Sequence, residues 1–371
     1  MREDVHTVSS INAGEVARHF ALYGDILAAA PYGNGHINDT YLLRCSQAGI
    51  ALRYILQRLN TAIFHEPEKL MANVSRVLTH CSSRLAGQAD ASRRALTLVP
   101  AHDGRPFWRD AEGGCWRCYL FIEGAKSYDI LETPAQAYAA GEAFGGFLAL
   151  LADIDGERLH ETIPHFHDTP SRLAAYDAAL AADRRNRAVL ARNEIAFVAA
   201  TRHIAPRLLA LQAAGGIPER ITHNDTKLNN VMLDIVSGTG VCVIDLDTVM
   251  PGQSLFDFGD LVRSSVSPAA EDERDLGKVQ LRQDVFAALA KGYLKGCDGC
   301  LTKTEIELLP FAGQLITFEI GLRFLTDFLQ GDVYFKTHRE GHNLDRCRTQ
   351  FRLVKLLQEQ EESLQGVIAA L

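Results

Sequence analysis

Apolar residues follow two different patterns in the two parts of the chain. In the N-terminal third, short apolar runs are separated by turns. The runs 41–44 and 50–59 predict a β-hairpin after a glycine-rich turn at 31–36. Farther along, apolar residues recur at the spacing of one helix face, with short loops between the segments. The sequence therefore predicts an α+β fold, with a small β-rich N-terminal lobe (1–122) and a larger, mostly helical C-terminal lobe (123–371).

Three segments carry clear helix signals. One helix opens at Glu66-Pro67-Glu68 and has an apolar face made of Leu70, Val74, Val77 and Leu78. Thr133 caps a second helix, which has Pro134 at its first position and extends to residue 151. The Ala- and Arg-rich segment 171–214 predicts one long helical stretch that ends at two glycines.

Composition and charge exclude several classes of protein. With 371 residues, 47% of them hydrophobic, the chain can build two well-packed lobes. It has 38 Lys and Arg against 46 Asp and Glu, a formal charge of −8, which indicates no surface for nucleic acid. The N-terminus is polar, and the apolar stretch 143–152 is too short to cross a bilayer. We expect a cytoplasmic protein without a membrane partner; its oligomeric state stays open, and a monomer fits the sequence.

Two of the cysteine pairs have C-x-x-C spacing. Cys115 and Cys118 lie in a predicted strand (115–122), and an offset of three places them on opposite faces, where they cannot share a metal. Cys297 and Cys300 follow a predicted helix in a glycine-rich loop. Metal binding by this second pair stays open, although reduced thiols are the simpler interpretation.

The strongest chemical signal lies between residues 221 and 247. A polar loop contains Asp225 and Asn230, and an apolar strand that ends in Asp245 and Asp247 follows it. One arrangement satisfies both segments, with Asp225 near a substrate hydroxyl while Asn230 and Asp245 hold Mg²⁺ on nucleotide phosphates. The alternative, in which these residues only cap helices and turns, does not explain the carboxylates of the second segment.

The spacing H-x-D-x-x-x-x-N, followed by I-D, starts at His223 and matches kinase-like phosphotransferases. With GNGHINDTY, YILQRLN and LRFLTDFLQGDVYF, the chain resembles the aminoglycoside and choline kinase superfamily, and within it the bacterial N-acetylhexosamine 1-kinases. The resemblance implies a two-lobed kinase-like fold and ATP-dependent phosphorylation of the anomeric hydroxyl of N-acetylglucosamine or N-acetylgalactosamine. It implies that Asp225 is the catalytic carboxylate, that Asn230 and Asp245 are the metal ligands, and that Asp247 assists at the metal.

A second carboxylate motif, Asp257-Phe258-Gly259, has the letters of the protein-kinase metal motif but lacks a preceding apolar strand. Asp245 has such a strand. We therefore expect Asp257 and Asp260 to cap a helix and to accept hydrogen bonds from the backbone of the catalytic loop, which is a supporting role.

The glycine-rich turn is the candidate phosphate loop. Gly33 and Gly35 would let backbone N–H groups approach the phosphates, and His36 and Asn38 would reach the sugar. An ordinary hairpin turn, with an exposed His36, is the alternative.

The next strand should offer a cation to the α- and β-phosphates, a place that lysine holds in protein kinases. Arg58 or its neighbour Gln57 occupies that place here. Glu68 is either a partner of Arg58 or a solvated residue at a helix start. The strand that ends at Glu123 fits an interlobe hinge whose main chain would bind adenine.

The helical segment 322–329 carries Arg323 on an otherwise apolar pattern, and Tyr334 follows in a loop. In the hexosamine kinases that this chain resembles, an Arg and a Tyr at this spacing contact the sugar. The alternative is that Arg323 pairs with Asp327, one turn later, while Tyr334 only packs.

Two other functions are compatible with part of the sequence. The basic residues between 323 and 348 argue against a cationic acceptor such as an aminoglycoside, choline or another amino alcohol, although a kinase for one of these is the alternative enzyme. A catalytically inactive nucleotide-binding regulator is disfavoured because Asp225, Asn230 and Asp245 are intact. The chain has no Walker A sequence, which argues against a P-loop enzyme.

Overall fold

A six-stranded antiparallel sheet dominates the N-terminal part of the computed structural model, which describes residues 12–33 and 37–371. Its strands are β1 (Asp25–Pro31), β2 (Asp39–Gln47), β3 (Ile50–Arg58), β4 (Leu98–Val99), β5 (Trp108–Arg109) and β6 (Cys115–Leu120). The order is β1-β2-β3-β6-β4, with β5 also paired to β6. The predicted hairpin is confirmed, because β2 pairs with β3 in one unbroken register from Asp39–Arg58 to Gln47–Ile50.

One face of this sheet forms a core with the short helix α1 (Ala13–Ala17). Leu43 from β2, Leu56 from β3 and Trp116 from β6 are buried in that core, as period-two alternation requires. Cys118 belongs to the same core, and Cys115 lies on the opposite face of β6. The described cysteines are unpaired.

The described chain divides into two compact units. The first comprises the residues up to 78 and 96–123, and the second comprises 79–95 and 124–371. The boundary expected from the sequence does not separate out 79–95, because helix α2 (Pro67–Leu85) continues from the first unit into the second. Helix α2 begins within the predicted opening segment 66–68, and the apolar face predicted for it is buried.

Helices make up most of the second unit. They are α3 (Ala91–Arg94), α4 (Pro134–Leu150), α5 (Thr169–Ala182), α6 (Arg192–Thr201), α7 (Arg207–Ala213), α8 (Ser254–Ser265), α9 (Gln283–Cys297), α10 (Lys303–Glu307), α11 (Leu309–Gln330), α12 (His342–Glu359) and α13 (Glu361–Ala369). Helix α4 has the predicted cap, since Thr133 and Gln136 form a reciprocal capping box. In the described chain, no helix is long and apolar enough to cross a membrane.

The prediction of one long helix over 171–214 is wrong, because the segment forms α5, α6 and α7 with short 3₁₀ turns between them. Asp183 and Asn186 have positive φ angles of 29° and 55°, which end α5. The composition of this segment indicated helix throughout, but residues with short polar side chains and Pro206 mark the breaks.

Four glycines bring α4 and α9 into backbone contact. A Cβ atom on Gly141 or Gly145 would overlap the carbonyl groups of α9, and one on Gly292 or Gly296 would overlap those of α4. Only glycine permits this approach, so the crossing of the two helices is fixed by the absence of side chains.

We expect Gly145→Ala and Gly292→Ala each to lower the free energy of unfolding by about 1–3 kcal/mol, since the added methyl group must push two backbones apart. Urea denaturation measures this effect. Gly146→Ala, on the same helix but with open space around its Cβ position, is the matched control and should be neutral or slightly stabilising. Equal midpoints for all three variants would show that the glycines do not set the crossing.

Candidate active site

Two short sheets in the second unit position the polar loop. Strand β8 (Arg220–Thr222) leads into it and pairs with β11 (Met250–Gly252). Strands β9 (Val231–Asp234) and β10 (Gly240–Val243) form an antiparallel pair after the loop, and β7 (Ala125–Lys126) completes their sheet. Residues 223–230 are thus held at both ends by strands.

The backbone of this loop is fixed by Asp257 in the first turns of α8. Its Oδ1 accepts a hydrogen bond from the N–H of Asn224 (2.7 Å), and its Oδ2 accepts one from His223 (3.0 Å). Asn224 has a φ of 62°, the left-handed conformation, which asparagine tolerates better than most residues. The bonds expected from Asp257 to the loop backbone are therefore present.

The capping prediction for Asp257 and Asp260 is wrong. Both lie inside α8, whose N-cap residue is Gln253. Asp260 does not bind the loop backbone as expected, because its Oδ1 accepts a hydrogen bond from Arg263 Nε at 2.8 Å. An Asp at the fourth position of a helix can reach an adjacent loop. The residues around it in the sequence, which are mostly apolar, do not indicate which loop it reaches.

His223 links the loop to the segment that carries Asp245. Its Nε2 lies 2.8 Å from the carbonyl oxygen of Ile244, and its Nδ1 accepts the N–H of Asp225 at 3.3 Å. This pair of contacts requires a proton on Nε2 and a lone pair on Nδ1. His223 is buried against the rings of Phe144 and Phe147, so its ring is held in place.

Asp225 lies among donors and cations. Asn230 Nδ2 donates to Asp225 Oδ2 at 3.0 Å, and Lys227 Nζ is 3.1 Å from Asp225 Oδ1. Burial alone would raise the pKa of Asp225, but the positive charges of Lys227 and Arg263 outweigh it and hold this pKa below its usual range. The carboxylate is therefore ionised at neutral pH.

Lys227 is a residue that the sequence analysis missed. Its ammonium group pairs with Asp225, and this carboxylate raises the pKa of Lys227 in spite of burial. The only available signal was its position two residues after Asp225 in the loop.

Asp245 and Asn230 are brought together by the backbone. The N–H of Ile244 donates to the carbonyl oxygen of Asn230 at 2.9 Å, directly before Asp245. Asp245 has left-handed angles (φ 58°, ψ 63°) just beyond β10, and Asp247 is buried in the 3₁₀ turn that follows. The amide nitrogen of Asn230 donates to Asp225, so its Oδ1 is the candidate metal-binding atom, and the carboxylate of Asp245 is a second donor of the kind that Mg²⁺ prefers.

The candidate phosphate loop lies between β1 and β2. Gly33 has a φ of 74°, in the left-handed region. Gly35 and His36 lie outside the described residues. Asn38, predicted to reach the sugar, accepts the backbone N–H of Asn60 on its Oδ1 at 3.0 Å, a contact that anchors the end of the loop.

Gln57 and Arg58 point to opposite faces of the sheet. The side-chain amide of Gln57 donates a hydrogen bond to the hydroxyl of Thr40 (3.1 Å) and accepts one from Arg117 Nε (3.0 Å). The guanidinium of Arg58 lies 5.8 Å from the ring centre of Trp116, on the face of the α1 core. Arg117, which is buried and bonded to Gln57, is a second cation on this sheet beside Arg58, and the sequence did not predict it.

Glu68 does not pair with Arg58 and is not simply solvated, because its carboxylate forms an ion pair with Arg109. That pairing lowers the pKa of Glu68. At the end of the first unit, the carboxylate of Glu123 forms an ion pair with Arg53, whose guanidinium lies 4.0 Å from the ring centre of Phe121.

Arg323 and Tyr334 meet, as the sequence suggested. Arg323 Nη2 lies 3.5 Å from the Tyr334 hydroxyl, and its guanidinium stands over the rings of Phe166 and Phe335 at 5.6 and 5.5 Å. Asp327, the alternative partner of Arg323, turns instead to the loop and accepts the backbone N–H groups of residues 333–335. That contact fixes the loop which carries Tyr334.

Cys297 and Cys300 approach each other in a tight turn, with the N–H of Cys300 donating to the carbonyl oxygen of Cys297 at 2.9 Å. Across the described ranges, no cluster of three or more His, Cys, Asp or Glu side chains could complete a metal site. Neither thiol forms a disulfide bond.

The chain matches a known enzyme family and has a fold similar to solved structures. Residues 28–291 match the phosphotransferase enzyme family. An aminoglycoside phosphotransferase from Alicyclobacillus acidocaldarius subsp. acidocaldarius DSM 446 has a similar structure, with a TM-score of 0.60, 13% identity and 100% of both chains covered. For a choline kinase from Cryptosporidium parvum Iowa II, the TM-score is 0.55 at 12% identity, over 92% of this chain and 91% of that one.

A spectinomycin phosphotransferase in complex with ADP and spectinomycin has a TM-score of 0.53 and 13% identity, over 94% of this chain and 97% of that one. Likeness at such low identity concerns the fold, and it confirms the predicted α+β kinase-like fold with a β-rich N-terminal and a helical C-terminal part. Since the family match covers well over half of the sequence, this chain belongs to the phosphotransferase enzyme family.

Proposed function

We propose that the protein is an ATP-dependent kinase that transfers the γ-phosphoryl group to the anomeric hydroxyl of an N-acetylhexosamine. The observation that carries the proposal is the ionised carboxylate of Asp225, held beside Asn230 and Lys227 in a loop with a fixed backbone. Family membership supplies the reaction class. The acceptor is inferred from the residues around Arg323 and from the motifs quoted above.

Asp225 is proposed to accept a hydrogen bond from the sugar hydroxyl and to aim its oxygen at the phosphorus. Because the pKa of Asp225 is held low, its main contribution is orientation, and it receives the proton late, as the new bond forms. Lys227, paired with the same carboxylate, would offset the negative charge on the phosphoryl oxygens during transfer.

Asn230 Oδ1 and the carboxylate of Asp245 would hold Mg²⁺, with Asp247 assisting. The bound ion neutralises charge on the nucleotide phosphates. The backbone hydrogen bond from Ile244 to Asn230 joins the segments that carry these two proposed ligands.

The first unit is proposed to hold ATP. Gly33 and Gly35 would present backbone N–H groups to the phosphates, Arg58 would provide a cation, and the main chain at Glu123 would bind adenine. His36 and Asn38 are proposed to assist at the sugar.

The charge near Arg323 favours a neutral acceptor. Burial lowers the pKa of Arg172, and the positive charge of Arg323 lowers it further. A cationic amine would be repelled there, whereas guanidinium donors and the hydroxyl of Tyr334 suit ring hydroxyls and an acetamido carbonyl. The ring of Phe166 offers an apolar surface for a sugar face.

The test of this proposal is a coupled assay of ATP consumption against free sugars, aminoglycosides, choline and ethanolamine. N-acetylglucosamine or N-acetylgalactosamine should give the highest kcat/KM, and the phosphorus NMR signal of the product should couple to the anomeric proton. Preference for a cationic amine, or a 6-phosphate product, would overturn the assignment of the acceptor while leaving the kinase intact. Absence of transfer to every acceptor would favour a regulator.

The carboxylates should separate into two roles. Asp225→Asn should lower kcat by about a hundredfold or more and leave MgATP binding unchanged, because the amide cannot accept the proton. Asp245→Asn should instead weaken MgATP binding, measured by titration calorimetry, since it removes a metal ligand. Asp284→Asn, at the exposed start of α9, is the control. Equal losses of nucleotide affinity in both variants would mean that the roles are assigned incorrectly.

Acid should inactivate the enzyme through Asp257. Burial raises the pKa of this carboxyl to about 6. Since the ionised form holds the loop, kcat/KM should fall as the pH drops through about 6.

Stability should change in the opposite direction, because the raised pKa makes the protonated form the favoured one in the folded protein. The contribution of this group is fully present below about pH 4 and is lost as the pH rises through about 6. Rate profiles and thermal melts from pH 4.5 to 8 check both signs. In Asp257→Asn, activity should be low and this acid limb should be absent; an unchanged limb would assign it to another group.

A further inference from the structure

A buried ion pair contacts the catalytic loop from outside the described machinery. His167, just before α5, places its Nδ1 2.8 Å from Glu319 Oε1 in the middle of α11. The other carboxylate oxygen of Glu319 accepts a hydrogen bond from the hydroxyl of Thr169 at 2.6 Å. Both side chains of the pair are almost completely buried.

The second ring nitrogen of His167 reaches the loop itself. Its Nε2 lies 2.9 Å from the carbonyl oxygen of Asn224, the residue before Asp225. Both nitrogens therefore face acceptors that have no proton to give, so both must carry hydrogen, and the ring is an imidazolium.

The charges around His167 agree with this state. Glu319 on α11 pairs with it directly, while Asp257 and Asp260 on α8 add negative charge and Arg323 on α11 acts on Glu319. Burial lowers the pKa of His167, but Glu319 outweighs it and the pKa is raised. The rings of Phe166 and Phe256 pack against the imidazolium at 4.7 and 5.0 Å between ring centres.

A buried ion pair is a poor way to gain stability, because apolar residues of similar volume often stabilise as well or better. The geometry points to another use. Asp257 accepts a hydrogen bond from the N–H of Asn224, and His167 donates one to its carbonyl oxygen. Both backbone polar groups of the left-handed residue before Asp225 are therefore bonded.

We propose that His167, held in place by Glu319, is a positioning residue that fixes the peptide leading into Asp225 and so aims its carboxylate. The inference rests on the proposed role of Asp225. Removing His167 should misdirect the carboxylate by a fraction of an ångström while leaving the nucleotide and acceptor contacts in place.

The test compares His167→Gln with Thr169→Val, using MgATP and the best acceptor from the panel. In His167→Gln, kcat should fall between about tenfold and a hundredfold with both KM values nearly unchanged, since misorientation acts on transfer. Its acid limb should move up by about half a pH unit or more, because Asp257 loses a nearby positive charge. Thr169→Val removes a bond from Glu319 without touching the loop, and should lower Tm while keeping kcat near that of the parent.

Selective ¹⁵N-histidine labelling checks the charge state of His167 that its two acceptors require. One imidazolium signal should persist at neutral pH and be absent in His167→Gln. Parental kcat, an unmoved acid limb, or a rise in KM at constant kcat would each overturn the inference. If His167→Gln does not fold, Glu319→Gln is the variant to test. Without the carboxylate the His167 ring is neutral and populates both tautomers, so kcat should fall. A parental kcat in Glu319→Gln would also overturn the inference. Asp225→Asn, assayed in parallel, separates this failure from failure of the proposed function.

Discussion

The conformation of the 223–230 loop depends on the two hydrogen bonds that Asp257 accepts from its backbone. Asn224 adopts a left-handed conformation, which costs an L-residue roughly 1–2 kcal/mol. A hydrogen bond to a charged group contributes about 1.5–3 kcal/mol, so the bonds to Asp257 offset that cost. Without them the loop would have a more extended alternative, and Asp225 would turn away from Asn230.

Burial of Asp257 is what makes this anchor both stiff and acid-sensitive. A solvated carboxylate would exchange its partners with water, whereas a desolvated one has only the loop backbone to satisfy it. The same desolvation raises its pKa to about 6, within the range where enzymes work. Dipoles fixed in this way require little reorganisation when charge develops on a reacting group, which is the main route to electrostatic catalysis.

Sequence patterns predicted the elements that obey local rules and missed the contacts that only the fold creates. The hairpin, α2 and the capped start of α4 follow from periodicity, proline and threonine, and the structure has them. The break of the segment 171–214 was missed because its polar breakers are short and its alanines favour helix.

At the site, the H-x-D-x-x-x-x-N spacing located the polar loop, because that spacing is a local property of one turn and one strand. The pairing of Glu68 with Arg109 and the contact of His167 with the carbonyl of Asn224 join segments far apart in sequence and leave no local signature. Asp225 shows what these long-range contacts achieve. With the positive charges of Lys227 and Arg263 lowering its pKa, it is too weak a base to remove a hydroxyl proton in advance. Its proposed role in transfer must therefore lie in where it points, and that direction is set by His167 and Asp257, which hold the backbone of Asn224.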